Sequence, residues 1–216
     1  MSLIANGISY RHHPHSPFLF ENLTLSVPEG AKVSLTGPNG AGKTTLLHLL
    51  AGRLSPATGS LVRSSTPYLV PQQTVPDRRN VAELLGIAHK LRALRAICSG
   101  SVEPDDFETL GDDWEIEAQS RAALNAWGLS YVALDTPSDA LSGGERMRLM
   151  LCCLMIADHT PDLFVLDEPT NNLDIDSLAI LTDTLRDYRG SLVVISHDDR
   201  FVREIGVTET VELSIG

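Results

Sequence analysis

The order of apolar segments predicts an α/β fold: a mostly parallel sheet core with antiparallel strands at the N-terminus and an inserted helical subdomain. Short, wholly apolar segments at 163–166 and 192–195 alternate with helical segments, which is typical of a parallel sheet covered on both faces. A stretch from 81 to about 127, rich in Ala, Leu, Glu and Arg, interrupts this alternation. We expect a single domain over 1–216, with a core over 1–75 and 150–216 and a helical subdomain over about 76–149.

The individual elements follow from local patterns. Residues 4–10 and 18–27 alternate apolar and polar side chains, as strands with one solvated face do. The histidine-containing segment 12–17 between them is predicted to be a loop rather than a metal site, because no partner cluster accompanies it. The remaining predicted strands and helices are short strands at 32–36 and 68–70 and helices at 44–50, 144–156 and 175–188.

Charge and hydropathy limit the classes of partner. The formal net charge of −11 argues against non-specific binding of nucleic acid, which requires a basic face. Every charged residue between 101 and 120 is acidic, and we interpret this segment as a solvated surface. No apolar run approaches the ~20 residues that span a bilayer, and no signal peptide is recognisable. We therefore expect a cytoplasmic chain that does not insert directly into a membrane.

A glycine-rich segment follows the predicted strand 32–36 and reads GPNGAGKT from Gly37 to Thr44. In a strand–helix context this pattern predicts a P-loop, where backbone N–H groups and the helix N-terminus bind phosphates. Lys43 is expected along the β- and γ-phosphates, and the Thr44 hydroxyl is expected to bind Mg²⁺. The fold class is thus a P-loop NTPase, with nucleotide-binding candidates Gly37, Pro38, Asn39, Gly40, Ala41, Gly42, Lys43, Thr44 and Thr45.

Two adjacent carboxylates, Asp167 and Glu168, follow the apolar segment 163–166. In a chain with a P-loop, the first carboxylate is the expected partner of Mg²⁺, and the second can polarise an attacking water. A merely solvated strand end is the alternative, and the P-loop argues against it. We expect an enzyme that cleaves the β–γ phosphoanhydride of a nucleoside triphosphate.

Further motifs occur in a fixed order: GPNGAGKTT, YLVPQQ, LSGGE, LDEPTNNLD and ISHDD. On these motifs nearly the whole chain resembles the ATP-binding cassette (ABC) ATPases. The resemblance implies ATP rather than GTP, bound between the P-loop of one domain and the LSGGE signature of another. The signature residues that would act in trans are Ser142, Gly143, Gly144 and Glu145.

The resemblance also implies roles for single residues. Gln72 would sense Mg²⁺ and the attacking water, and His197 would contact the γ-phosphate. His12 falls where many ABC proteins stack an aromatic ring on adenine, with Tyr10 as the neighbouring candidate. The catalytic candidates are therefore Glu168, His197, Gln72 and Lys43, and the metal ligands are Thr44, Gln72 and Asp167.

The segments DEPTNNLD and SHDDRF, with the short spacing between Lys43 and Gln72, resemble the ABC-F group, whose members act on ribosomes. ABC-F proteins usually carry two cassettes, whereas this sequence has one. The expected partners are a ribosome and a second ABC domain, supplied by a homodimer or by a longer chain of which this is a piece. The alternative is the ATP-binding subunit of an ABC membrane transporter, docked on a permease subunit and peripheral to the inner membrane.

Overall fold

The structure of the chain, a computed structural model, describes residues 2–72, 78–156, 162–171 and 173–214. The strands in these ranges are β1 (Leu3–Tyr10), β2 (Phe20–Val27), β3 (Lys32–Thr36), β4 (Thr58–Arg63), β5 (Tyr68–Val70), β6 (Leu163–Asp167), β7 (Ser191–Ile195) and β8 (Glu209–Glu212). The helices are α1 (Lys43–Leu50), α2 (Val81–Leu84), α3 (Ala88–Cys98), α4 (Pro104–Leu110), α5 (Ile116–Ala126), α6 (Gly143–Cys152), α7 (Ile175–Asp187) and α8 (Asp199–Glu204).

The strands form two sheets. Strands β2, β1 and β4 make an antiparallel sheet in that order, and β5, β6, β7, β3 and β8 make a parallel sheet in that order. Strands β6 and β7 are buried along their whole length, as expected for a parallel sheet with both faces covered. The predicted fold class is confirmed, including the N-terminal antiparallel strands.

Some elements differ from the sequence-based expectations. The predicted helix at 144–156 is α6 followed by a 3₁₀ turn, Cys153–Met155. Strand β4 was not predicted, because its side chains are mostly exposed and its sequence shows no apolar alternation. The short helix α8 was also missed, although Asp198 accepts hydrogen bonds from the backbone N–H groups of Arg200 and Phe201 as an N-cap.

Contacts divide the chain into two units. The first comprises residues 1–72, 161–172 and 181–216 and contains both sheets. The second comprises residues 73–160 and 173–180 and is helical. The predicted single-domain organisation, with a core over 1–75 and 150–216, stays a prediction.

The core of the first unit surrounds α1. Leu46, Leu47, Leu49 and Leu50 are fully buried, among apolar side chains from both sheets. The guanidinium of Arg63, on β4, donates to the carbonyl oxygens of Leu49 and Leu50 at 2.7 Å each and so caps the end of the helix. This packing fixes the helix that follows the glycine-rich segment.

A buried lysine holds the start of β3. The Lys32 ammonium donates to the carbonyl oxygens of Leu185, Arg186 and Ile205 at 2.6, 2.8 and 3.0 Å. These carbonyls lie at the C-terminal ends of α7 and α8, where a cation is favoured by the helix dipole. Burial lowers the pKa of Lys32, and Asp187 opposes that shift.

None of the helices described in the structure is both long and apolar enough to cross a membrane.

Helix α6 begins with a capping box. The Ser142 side chain accepts from the Glu145 N–H at 3.3 Å, and the Glu145 carboxylate accepts from the Ser142 N–H at 2.7 Å. The exposed Tyr131 hydroxyl donates to the other oxygen of that carboxylate. Hydrogen bonds from Ser142 and Tyr131 lower the pKa of Glu145 to about 2.

The capping box yields a prediction for Tyr131→Phe. Loss of the phenol donor should raise the Glu145 pKa and lower the free energy of unfolding at pH 7 by about 1 kcal/mol. Because the folded pKa is depressed, this stabilisation is present above the ordinary pKa of 4.5 and is lost as the pH falls towards 2. Carboxyl NMR titration and urea unfolding at several pH values measure both quantities. A Glu145 pKa that is the same in both proteins would contradict the assignment.

Candidate functional site

The glycine-rich loop that joins β3 to α1 has two positions at which a side chain would not fit. Gly37 has φ 140°, and an added Cβ would clash with the carbonyl oxygen of Leu213. Gly42 has φ 88°, and an added Cβ would lie 2.7 Å from the Leu19 side chain. Glycine is therefore required here for both backbone conformation and space. The loop ends directly at the N-terminus of α1.

The first turn of α1 carries the polar side chains of the loop. The Lys43 ammonium donates to the carbonyl oxygens of Gly37 and Pro38 at 2.7 and 3.1 Å, so it lies over the loop. Thr44 and Thr45 follow it, and the Thr44 hydroxyl favours the ionised form of the Asp167 carboxyl. Positive charge, loop N–H groups and hydroxyls are thus gathered at one helix end, an arrangement suited to phosphate.

Asp167 ends strand β6 and is 2% exposed. Burial raises its pKa, the Thr44 hydroxyl opposes this shift, and the neighbouring Glu168 adds to it. The positive charge of Lys43 favours the ionised form. The carboxylate is therefore desolvated beside a hydroxyl and a cation at the end of the loop.

Glu168 is held by the backbone of the next strand. It is 5% exposed and has φ 48°, an uncommon conformation for a residue with a side chain. Its N–H donates to the carbonyl oxygen of Ile195 at 2.9 Å, which continues the pairing of β6 with β7. This bond fixes the position of the backbone that carries the carboxylate.

His197 lies next to Glu168. Its Nε2 is 3.1 Å from Glu168 Oε1, and its backbone N–H donates to Glu168 Oε2 at 3.4 Å. The imidazole itself is exposed. His197 and Glu168, both predicted catalytic residues, therefore form one hydrogen-bonded pair at the carboxyl ends of β6 and β7.

His12 and Tyr10 have different surroundings. The Tyr10 ring stacks on Phe20 and meets the edge of the His12 ring, with centroids 6.3 and 5.4 Å apart. His12 is exposed at the rim of the cavity described next, whereas Tyr10 packs against the core. Of the two candidates for base stacking, His12 alone lines this cavity.

The cavity has a volume of about 450 Å³ and lies within the first unit. The sequence-predicted residues that line it are His12, Asn39, Gly40, Gly42, Lys43, Thr44, Thr45, Gln72, Asp167, Glu168 and His197. Three predicted loop residues, Gly37, Pro38 and Ala41, do not line it. Leu19 and Ile195 line it and were missed, because only the tertiary contacts place these apolar side chains beside the loop.

The signature residues belong to the second unit. Ser142 is the N-cap of α6, Gly143 and Gly144 form its first turn, and Glu145 closes the capping box. Tyr131, which sequence reasoning missed, contacts this carboxylate from a position 14 residues upstream. No local pattern in the sequence links these two residues.

The donor set at the loop fits Mg²⁺. The Thr44 hydroxyl, the Asp167 carboxylate and the amide of Gln72 offer oxygen ligands, the type that Mg²⁺ prefers. Asp167 is a buried carboxylate whose charge is opposed by burial, so a nearby divalent cation would stabilise it. Among the described residues, no group of three or more His, Cys, Asp or Glu could hold a metal. One carboxylate, one hydroxyl and one amide suit an ion that takes its other ligands from phosphate and water, as Mg²⁺ commonly does.

Comparison with known proteins identifies the family. A family model described as ABC transporter matches residues 20–171. The chain is 32% identical over 200 residues to ABC transporter F family member 5 of Arabidopsis thaliana, covering 92% of this chain and 26% of that protein. It is 34% identical over 216 residues to the energy-dependent translational throttle protein EttA of Haemophilus influenzae, covering 89% of this chain and 38% of that protein. The chain thus spans between about a quarter and two fifths of these relatives.

A solved structure shares the fold. A dimeric bacterial ABC transporter cassette superposes with a TM-score of 0.69 at 19% identity, covering 99% of this chain and 95% of that one. The family match contains the glycine-rich loop, the LSGGE segment and both carboxylates after β6. The chain therefore belongs to the ABC transporter family, as an ABC ATPase domain whose relatives include ABC-F proteins.

Proposed function

We propose that this chain binds ATP with Mg²⁺ and hydrolyses it in a site that a second ABC domain completes. The observation that carries the proposal is the meeting of Lys43, Asp167, Glu168 and His197 at one cavity, beside the loop and the N-terminus of α1. The Lys43 ammonium and the N-terminus of α1 attract phosphate. The Glu168 carboxylate can orient an attacking water. The ABC family match supports this assignment.

The phosphate-binding residues act by charge and position. The Lys43 ammonium and the N–H groups of the loop would neutralise the triphosphate and orient it without any covalent step. Thr44, Gln72 and Asp167 would hold Mg²⁺, which when bound supplies further charge neutralisation at the phosphate oxygens. His12 would stack on the base, and its position in the cavity lining supports this role.

Glu168 is the proposed base. Its carboxylate accepts hydrogen bonds only, so it can orient a water and take up its proton as the β–γ bond breaks. The backbone bond to Ile195 and the contacts with His197 hold that carboxylate in one direction. His197 would contact the γ-phosphate and Glu168 at the same time, because it lies beside Glu168 and lines the cavity.

The signature would act on the nucleotide of another domain. Helix α6 presents the N–H groups of Gly143 and Gly144 and the Ser142 hydroxyl, and a helix N-terminus favours an anion. The dimeric form named for the similar cassette supports this arrangement. The second domain is a second copy of this chain or a second cassette of a longer protein, since the chain spans only part of its relatives.

We further propose an ABC-F role, in which ATP-driven closure acts on a ribosome in the cytoplasm. The support comes from the relatives, one of which is named an F family member and another an energy-dependent translational throttle. A permease-docked subunit is the alternative.

Glu168→Gln tests the base. The amide keeps the size of the side chain but cannot take a proton, so hydrolysis should fall by about a hundredfold or more while ATP binding persists. Steady-state phosphate release and equilibrium binding of a fluorescent ATP analogue measure the two effects. Glu209→Gln, at an exposed position on β8, is the matched control and should keep the parental rate. Parental hydrolysis by Glu168→Gln would remove the base assignment.

A mixing experiment tests the shared site. Lys43→Met disables the loop and Ser142→Arg disables the signature, so each variant alone should be inactive. Mixed dimers pair an intact loop with an intact signature at one of their two sites, so an equal mixture should recover about a quarter of the parental rate. Phosphate release should also rise more steeply than linearly with protein concentration. No recovery on mixing, together with a linear dependence, would mean that each chain works alone.

Co-sedimentation tests the ABC-F role. Because Glu168→Gln should hold ATP without hydrolysing it, this variant should pellet with ribosomes in ATP and remain in the supernatant in ADP. The Glu168→Gln/Lys43→Met double variant is the control and should not pellet in either nucleotide. Absence of ATP-dependent pelleting would overturn the ribosome proposal and leave the permease alternative.

A further inference from the structure

Two aromatic rings of the helical unit are exposed side by side. Phe107, on α4, and Trp114, in the turn that follows, have centroids 6.4 Å apart and are 42% and 51% exposed. Single exposed apolar side chains are common on protein surfaces. Two exposed rings in contact form a small apolar patch, and such patches can mark interaction sites. Neither ring takes part in the proposed ATP site.

The surrounding residues hold these rings outward. Leu110 and Ile116 on either side of the turn are fully buried and anchor it to the unit. Lys90, on α3, forms an ion pair with Asp113 within the turn. Gly111, with φ 54°, reverses the chain directly after α4. The rings are therefore displayed on a fixed backbone.

Several acidic residues lie within four positions of one ring or the other along the chain. The exposed acidic residues on α4 and its two flanks that have no ion pair among the described residues are Glu103, Asp105, Glu108, Asp112 and Glu115. No Lys or Arg occurs between 96 and 120. We call Phe107, Trp114 and these five residues the acidic aromatic surface.

The negative charge of the acidic aromatic surface limits the kinds of partner that can bind to it. Nucleic acid and anionic lipid would be repelled, because both present phosphates. A second copy of this chain that met this surface with its own would oppose the same carboxylates, so self-association at this surface is also disfavoured. A basic partner would be attracted electrostatically by these carboxylates.

We propose that the acidic aromatic surface binds an arginine-rich polypeptide segment of a partner protein. A guanidinium is planar, stacks on aromatic faces and bonds carboxylates through two N–H groups at once. A lysine ammonium offers the same charge without the stacking or the fork. Two contacting rings, with acidic residues on both sides of them along the chain, therefore favour arginine over lysine.

Tryptophan fluorescence of the full chain tests the proposal. The chain has two tryptophans, and Trp127 is 1% exposed, so an added peptide should change mainly the Trp114 signal. Capped nona-arginine should quench or shift the emission and bind about fivefold tighter than capped nona-lysine, since stacking contributes beyond charge. Equal affinity for the two peptides, or a response to oligouridylate RNA instead, would overturn the proposal.

Variants locate the binding. Glu103→Gln/Asp105→Asn/Glu108→Gln should weaken nona-arginine binding by about fivefold or more. The matched control Glu21→Gln/Glu209→Gln/Glu212→Gln removes the same charge from exposed strand positions and should change affinity by less than about twofold. Phe107→Ala should reduce the preference for arginine over lysine. Equal weakening by both triple variants would show general charge attraction and refute the surface. ATP hydrolysis is not required for any of these results, so the two proposals fail separately.

Discussion

The parallel pairing of β6 with β7, and of β7 with β3, is the constraint on which the site depends. In a parallel sheet the loops after neighbouring strands leave from the same edge, so groups far apart in sequence meet there. Asp167 is opposite Ile195 in this register, which places Glu168 against the segment that carries His197. Strand β3 brings the glycine-rich loop to the same edge. A slip of one residue would turn these side chains to the other face.

Several residues of the site have unfavourable local free energies, which the packing of the surrounding fold offsets. Asp167 is desolvated, Glu168 has a left-handed backbone, and Gly37 passes too close to Leu213 for any side chain. The core around α1 and the Lys32 bonds to the ends of α7 and α8 hold the strands rigidly enough to keep these conformations. Buried cation and buried carboxylate thus occupy opposite ends of one sheet.

The two units contribute different chemistry. The sheet-containing unit concentrates positive charge and oxygen ligands around a cavity, whereas the helical unit presents a capped helix end and an acidic surface with exposed rings. The capping box ties Ser142 and Glu145 together, so the geometry of the signature is set within α6 and by Tyr131. The local geometry of each group is therefore set within one unit, whereas the proposed hydrolysis needs both kinds of unit.

Two features of the site follow from short-range patterns in the sequence. The glycine-rich loop and the carboxylates that follow an apolar segment are local patterns, and residues of both line one cavity. The S-x-x-E cap of α6 is also a local pattern, but we did not predict it from the sequence. Only the folded chain brings together His197 and Glu168, Tyr131 and Glu145, and the apolar lining by Leu19 and Ile195. These depend on strand register and on packing between distant segments, for which periodicity and propensity carry no signal. Strand β4 was missed for a related reason, since its exposed side chains leave only its pairing with β1 to define it.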